Sequence, residues 1–106
     1  MYLAWTTVST AAEAETLAQT TLAGGFAVCV QIEGPITSHF VWNGKAERTS
    51  EMRLCFKFND AQLIPLENHV LAQHPYDTPE WIVVPVERVG GKYLSWAQAN
   101  SSTPPL

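Results

Sequence analysis

The 106-residue chain predicts an α+β, ferredoxin-like βαββαβ fold, and three observations carry that prediction. Segments with strand alternation and segments with helical periodicity follow one another in that order. An Asn43-Gly44 pair divides two long extended runs into a hairpin, because a type I′ turn needs positive φ twice. Pro75 and Pro79 impose a stiff corner between the second helix and the last strand. The length suits one domain over residues 1–100 with a single two-layer core, followed by 101–106 as a flexible tail ending in Pro104-Pro105.

Tyr2 to Val8, rich in β-branched and aromatic residues, reads as the first strand. Thr10-Ala11-Ala12-Glu13 is a capping-box signature opening a helix to Leu22. Ala14, Leu17, Ala18, Thr21 and Leu22 share one face of that helix, and Gly24-Gly25 closes it. Phe26 to Ile32 alternates as a second strand. Gly34-Pro35 then forces a bend or bulge, since proline cannot donate to a ladder, and extended chain resumes from Ile36 to Trp42. The returning strand sets Met52, Leu54, Phe56 and Phe58 against Arg53, Cys55 and Lys57.

Asn59 or Asp60 caps a second helix, lined on one side by Leu63, Leu66, Val70 and Leu71. Pro65 is compatible with it only in the first turn, so its start is expected to be late or irregular. The helix must stop before His74-Pro75-Tyr76-Asp77-Thr78-Pro79-Glu80. Trp81 to Val86 reads as a strand buried on both faces. Gly90-Gly91 precedes a short helix carrying Tyr93, Leu94, Trp96 and Ala97.

Apolar residues make up 46% and charged residues only 15%, with four tryptophans, so part of the surface is expected to be hidden by a partner. In the predicted fold both helices cover one sheet face. The other face, with Cys29, Val83, Trp81 or its neighbours and the aromatic hairpin, is the surface to be hidden, and self-association is the economical way to hide it. A net charge of −4 and scattered basic residues exclude nucleic acid as a partner. No run is long enough to cross a membrane, and the N-terminus lacks a signal-peptide pattern, so a cytoplasmic location is expected. Two cysteines make no disulfide framework.

The chain resembles the CutA family, named for divalent cation tolerance. The resemblance rests on Cys29-Val30, Gly34-Pro35, Ser38 with Phe40 and Trp42, Trp42-Asn43-Gly44-Lys45 with Glu47, Lys57, the His74-to-Glu80 run, Pro85-Val86 and Tyr93-Leu94-Ser95-Trp96. It implies a PII-like homotrimer and an association with Cu2+ or other divalent cations. This is in keeping with the self-association read from the residues, in which the protruding Phe40-Val41-Trp42 hairpin hooks onto a neighbour and makes Phe40 and Trp42 interface residues. Phe40 stands where tyrosine is usual, and Asp77 where glutamate or glutamine is usual.

His74 is the metal-ligand candidate, with an alternative role as an imidazole bonding the last carbonyls of its helix. His39 and His69 read as solvent-facing. If the Asn43-Gly44 turn sets the register without a bulge, Cys29 opposes Phe58 and Cys55 opposes Ile32. The cysteines then lie about 10 Å apart along the strands, too far to share an ion. A bulge at Gly34 would move the pairing by one residue without repairing this, and each cysteine reads as a small buried hydrophobe. Lys57, Tyr76, Glu80 and Trp96 form a candidate small-ligand cleft between subunits for an anionic metabolite; alternatively, Lys57 and Glu80 pair across the interface to specify assembly. No base is placed to activate a cysteine and no phosphate-binding loop occurs, so the chain is read as non-catalytic.

Overall fold

The computed structural model describes residues 1–101; the predicted tail from 102 onward lies outside the described residues. The elements are β1 (Tyr2–Val8), α1 (Ala11–Ala23), β2 (Cys29–Trp42), β3 (Lys45–Phe58), a 3-10 turn (Asp60–Gln62), α2 (Leu63–Gln73), β4 (Ile82–Pro85) and α3 (Gly91–Asn100). The four strands form one antiparallel sheet in the order β2-β3-β1-β4. This is the expected βαββαβ arrangement with a terminal helix.

Local chemistry explains where the helices start. Thr10 accepts from the Glu13 amide at 3.1 Å, and the Glu13 carboxylate accepts from the Thr10 amide at 3.0 Å. The capping box therefore satisfies two amides that have no partner inside the helix. Before α2, the Gln62 side chain accepts from the Asn59 amide and donates to the Gly25 carbonyl, both at 2.9 Å. That buried amide ties the irregular start of α2 to the end of α1. Pro65 is the third residue of α2, in the first turn as predicted.

The helix-covered face of the sheet is the core. Ala4, Leu54, Phe56, Phe58, Leu66 and Val70 are completely buried there, with Trp81 and Val83 packed against them. Burying each large side chain contributes about 1.5–3 kcal/mol relative to exposure. Register places Leu3, Trp5, Cys29, Gln31, Cys55, Lys57, Ile82 and Val84 on the opposite face, which no helix of α1 or α2 covers.

Several expectations change. The second strand starts at Cys29, later than Phe26, and runs unbroken in name through Gly34-Pro35 to Trp42. Leu22 and Leu71 are exposed at the margins of their helices, because α1 and α2 each present a narrower stripe to the sheet. β4 pairs only with β1, so it is an edge strand and is not buried on both faces; Ile82 is 51% exposed. Val83 and Trp81 belong to the core face, and Ile82 and Val84 take the open one, because Val83 stands beside Ala4.

The hairpin register also changes. From the turn to Ile36, which faces Glu51, the pairing follows the simple turn-derived rule. A bulge between Glu33 and Ile36 then shifts it by one, so Cys29 faces Lys57 and Cys55 faces Gln31. Gly34 sits there at φ 145°, a conformation that essentially only glycine adopts. A Cβ at this position would come within 2.8 Å of the Met52 sulfur. At the turn, Asn43 and Gly44 have φ of 50° and 75°, the expected pair of positive values.

Candidate functional site

The corner after α2 is built from bonds back to the sheet. His74 leaves the helix in an extended conformation. Its Nδ1 accepts from the Tyr76 amide at 3.0 Å, which leaves the proton of the neutral ring on Nε2. Nε2 donates to Thr6 Oγ1 at 2.9 Å, and the Thr6 hydroxyl donates to the Glu80 carbonyl at 2.6 Å. Thr6 is fully buried on β1, so both ends of the corner are fastened to one strand position. Trp81 completes the anchoring: its indole N–H donates to Glu67 at 2.9 Å and its ring meets Phe56 edge-on.

Burial holds the His74 imidazole below its ordinary pKa, against the opposing pull of a backbone hydrogen bond at Thr7 and of Glu13 and Glu51. Each ring nitrogen already has a partner. The ring therefore has no free lone pair to offer a metal, and it does not bond the helix-end carbonyls either. It serves as a clamp between two parts of the chain.

Tyr76 extends the same network. Its hydroxyl donates to Glu51 Oε2 at 2.8 Å and lies 2.9 Å from the Ser9 hydroxyl. Burial pushes the phenol up, with Glu51 adding to the effect and the Ser9 hydrogen bond opposing it. Glu51 is only 8% exposed, yet it lines an open cleft of about 610 Å³ between the hairpin arm and the corner. One wall of the cleft is Ser38, His39, Phe40, Trp42 and Thr49; the other is Tyr76, Asp77, Thr78 and Glu80, with Thr7 at the base. Its described lining holds three carboxylates and one histidine, and neither lysine nor arginine.

The four residues expected to share a cleft fall into two groups within one chain. Tyr76 and Glu80 line the cleft just described. Lys57 lies elsewhere, its ammonium 5.5 Å from the centre of the Tyr93 ring, and Trp96 packs beside Tyr93 at 5.4 Å. A separation of this kind occurs because Lys57 is on β3 beside Leu3 and Cys29, while the corner meets β3 six residues earlier, at Glu51. Among the described residues the one ion pair is Arg53 with Glu33, at 3.2 Å. No group of three or more His, Cys, Asp or Glu converges as an ion-holding set among them.

The histidines differ from their expected settings in one case. His39 is exposed, but His69 is half-buried, stacked on Phe26 with ring centres 4.5 Å apart, and its pKa is lowered by burial. Sequence reasoning missed Glu51 and Thr6 altogether. Glu51 interrupts no pattern, and only its place beside the register shift, opposite Ile36, distinguishes it.

Phe40 and Trp42, the expected interface residues, are exposed at 43% and 52%, and Val41 between them at 74%. They stand at the end of an arm that extends the molecule to 45 Å along its longest axis.

Comparisons with known proteins agree with one another. A family described as CutA1 divalent ion tolerance protein matches residues 2–100. The divalent-cation tolerance protein CutA of Pectobacterium atrosepticum is 37% identical over 87 residues, which is 82% of this chain and 79% of the relative. Among solved structures, CutA from Synechococcus elongatus superimposes with a TM-score of 0.90 at 38% identity, covering 95% of this chain and 89% of its own. The periplasmic divalent cation tolerance protein CutA from Archaeoglobus fulgidus gives 0.89 at 31% identity, covering 96% and 100%.

Proposed function

The chain belongs to the CutA1 divalent ion tolerance family, and on that premise we propose that it acts in cation tolerance as a non-catalytic homotrimer that binds divalent ions weakly. The observation that carries the binding half of this reading is the sign of the cleft. Glu51, Asp77 and Glu80 face it with His39 and with no basic side chain among its described lining. Carboxylates attract a cation and repel an anion, and at a water-filled surface each such interaction is worth about 1 kcal/mol. Oxygen donors with one imidazole suit divalent ions of hard to borderline character. Weak binding follows from donors that do not converge as an ion-holding set among the described residues.

His74 does not fit the ligand role, because Tyr76 and Thr6 already occupy its two nitrogens. Its part is to hold the wall that carries Asp77 and Glu80. The same acidity weighs against an anionic metabolite in this cleft.

The assembly half of the reading is supported by apolar surface that one chain leaves open: Phe40, Val41 and Trp42 on the arm, Ile82 on the edge strand, and Tyr93 and Trp96 on α3. Exposed aromatic and aliphatic side chains in this number are what a self-associating protein presents. Lys57 with Tyr93 and Trp96 stands on that surface, so a neighbour is required before those residues meet Tyr76 and Glu80.

Calorimetric titration with Cu2+ and Zn2+ tests the cation reading. Weak binding by the parent, reduced several-fold in the Asp77→Asn/Glu80→Gln double variant, is the expected result. Equal affinities in the two proteins would remove the cleft from the reading. Binding of citrate or ATP in place of the cations would transfer it to an anion sensor.

A further inference from the structure

We infer that Cys29 and Cys55 form a two-thiolate site for a single soft d10 cation, of which Cu(I) is the type. This deepens the cation-binding reading and rests on it for biological meaning, but the residues are different from those of the cleft. The bulge at Gly34 brings the two cysteines one residue closer along the ladder. Without it, Cys55 would face Ile32 and Cys29 would face Phe58. With it, Cys29 faces Lys57 and Cys55 faces Gln31, so the two cysteines become diagonal neighbours on adjacent strands. They are separated by an even number of ladder positions and therefore lie on the same face, the one the helices leave open. Both are free thiols.

Distance decides what such a pair can do. Diagonal neighbours in an antiparallel pair have Cβ atoms about 7–8 Å apart or somewhat less. A disulfide needs about 3.8 Å, so direct oxidation to a cystine does not fit this backbone. A bridging ion adds two metal–sulfur bonds of about 2.3 Å each, and a Cβ–Sγ–metal–Sγ–Cβ chain spans the gap. Two sulfurs, with no third His, Cys, Asp or Glu converging on them among the described residues, suit a soft ion that accepts linear coordination. Hard divalent ions need more donors, all oxygen, and are excluded.

The surroundings suit the product. Binding replaces two S–H bonds with two metal–sulfur bonds, releases two protons to solvent, and leaves a bis-thiolate complex of net charge −1 with a monovalent ion. Lys57, the strand partner of Cys29, brings a compensating charge to this face of the sheet, its ammonium 5.5 Å from the centre of the Tyr93 ring. In the neighbouring ladder positions Leu3 and Val84 extend one row, and Trp5 and Ile82 the other. These side chains make the sheet face beside the pair apolar. Neither metal nor sulfur changes oxidation state in this step.

The test uses the full, reduced chain under anaerobic conditions, with Cu(I) supplied in competition with a chromophoric chelator and Ag(I) as a redox-inert second probe. One ion per chain is expected, with X-ray absorption giving two sulfur neighbours and no nitrogen or oxygen shell. Cys29→Ser and Cys55→Ser should each lose retention of the ion. Wild-type retention in either variant, or a nitrogen and oxygen shell, overturns the inference. Because Cys55 is largely buried and its serine variant could misfold, a measurement on the parent stands beside it. One equivalent of Ag(I) should protect both thiols from N-ethylmaleimide, read by mass; protection of one or neither overturns it as well. Titrating Cu2+ into the Cys29→Ser/Cys55→Ser double variant separates the two claims. Retained Cu2+ binding with no Cu(I) retention in the parent removes the thiol site alone, and loss of both removes the cleft reading too.

Discussion

The two faces of the sheet are made from the same four strands and end in opposite conditions. On the helix-covered face, Leu54, Phe56 and Phe58 of β3 are fully buried by α1 and α2 within one chain. On the other, alternate residues of the same strand (Arg53, Cys55, Lys57) look toward a surface that ends in an exposed edge at Ile82 and an exposed aromatic arm. The first face is complete as it stands; the second holds unfinished contacts. If the chain self-associates as proposed, stability and assembly belong to different sides of one ladder, and substitutions on the two sides should fail in different ways.

The largest expected effect lies on the complete side. Phe56→Ala removes a ring that touches Trp81 and lies at the centre of the core. It should cost about 3–5 kcal/mol, read as a lower denaturant midpoint. A variant that keeps its midpoint but dissociates would contradict the division of labour between the faces.

Trp42→Ala should do the reverse. The side chain is half-exposed at the arm tip and makes no core contact, so the fold of a single chain is retained. Association should weaken by about 2 kcal/mol or more per anchor, visible as smaller particles in sedimentation at micromolar concentration. Unchanged mass at all dilutions would take the hairpin out of the assembly.

The smallest effect concerns pH. His74 is buried neutral, with a pKa below the value it has in the unfolded chain. The unfolded state therefore binds more protons in the interval between the two pKa values, and stability rises with pH across it. The contribution is fully present above about pH 6.5, the unfolded value, and is lost as pH falls through the folded one. His74→Gln should flatten part of the slope of unfolding free energy below about pH 6.5. His69, lowered in the same direction, should leave a residual slope. An undiminished slope in the variant would show that the ring is not held neutral.

Much of this architecture is legible in the residues, and the reason is local. The Thr10–Glu13 capping box, the Asn43-Gly44 turn, the position of Pro65 and the stop before Pro75 each depend on interactions within a few positions of chain. The family motifs are legible for the same reason, since they are short runs at fixed spacing.

What failed had no local signal. Leu22 and Leu71 fit the periodicity of their helices and are still exposed, because the width of the sheet decides how much of each helix is covered. Trp81 to Val86 reads as a strand buried on both faces, yet strand order makes β4 an edge. Whether Lys57 and Trp96 meet Tyr76 and Glu80 across subunits is likewise absent from any local pattern; within one chain the two pairs stand apart.

From its residues alone, then, this protein's elements, their order and its family can be read, because capping, turn chemistry and alternation act over short stretches of chain. Only the folded sheet decided the partners across strands. A single bulge at Gly34 moves every pairing beyond it by one residue, and with it which residue each cysteine faces. Register is a sum over the whole ladder, so no local pattern contains it.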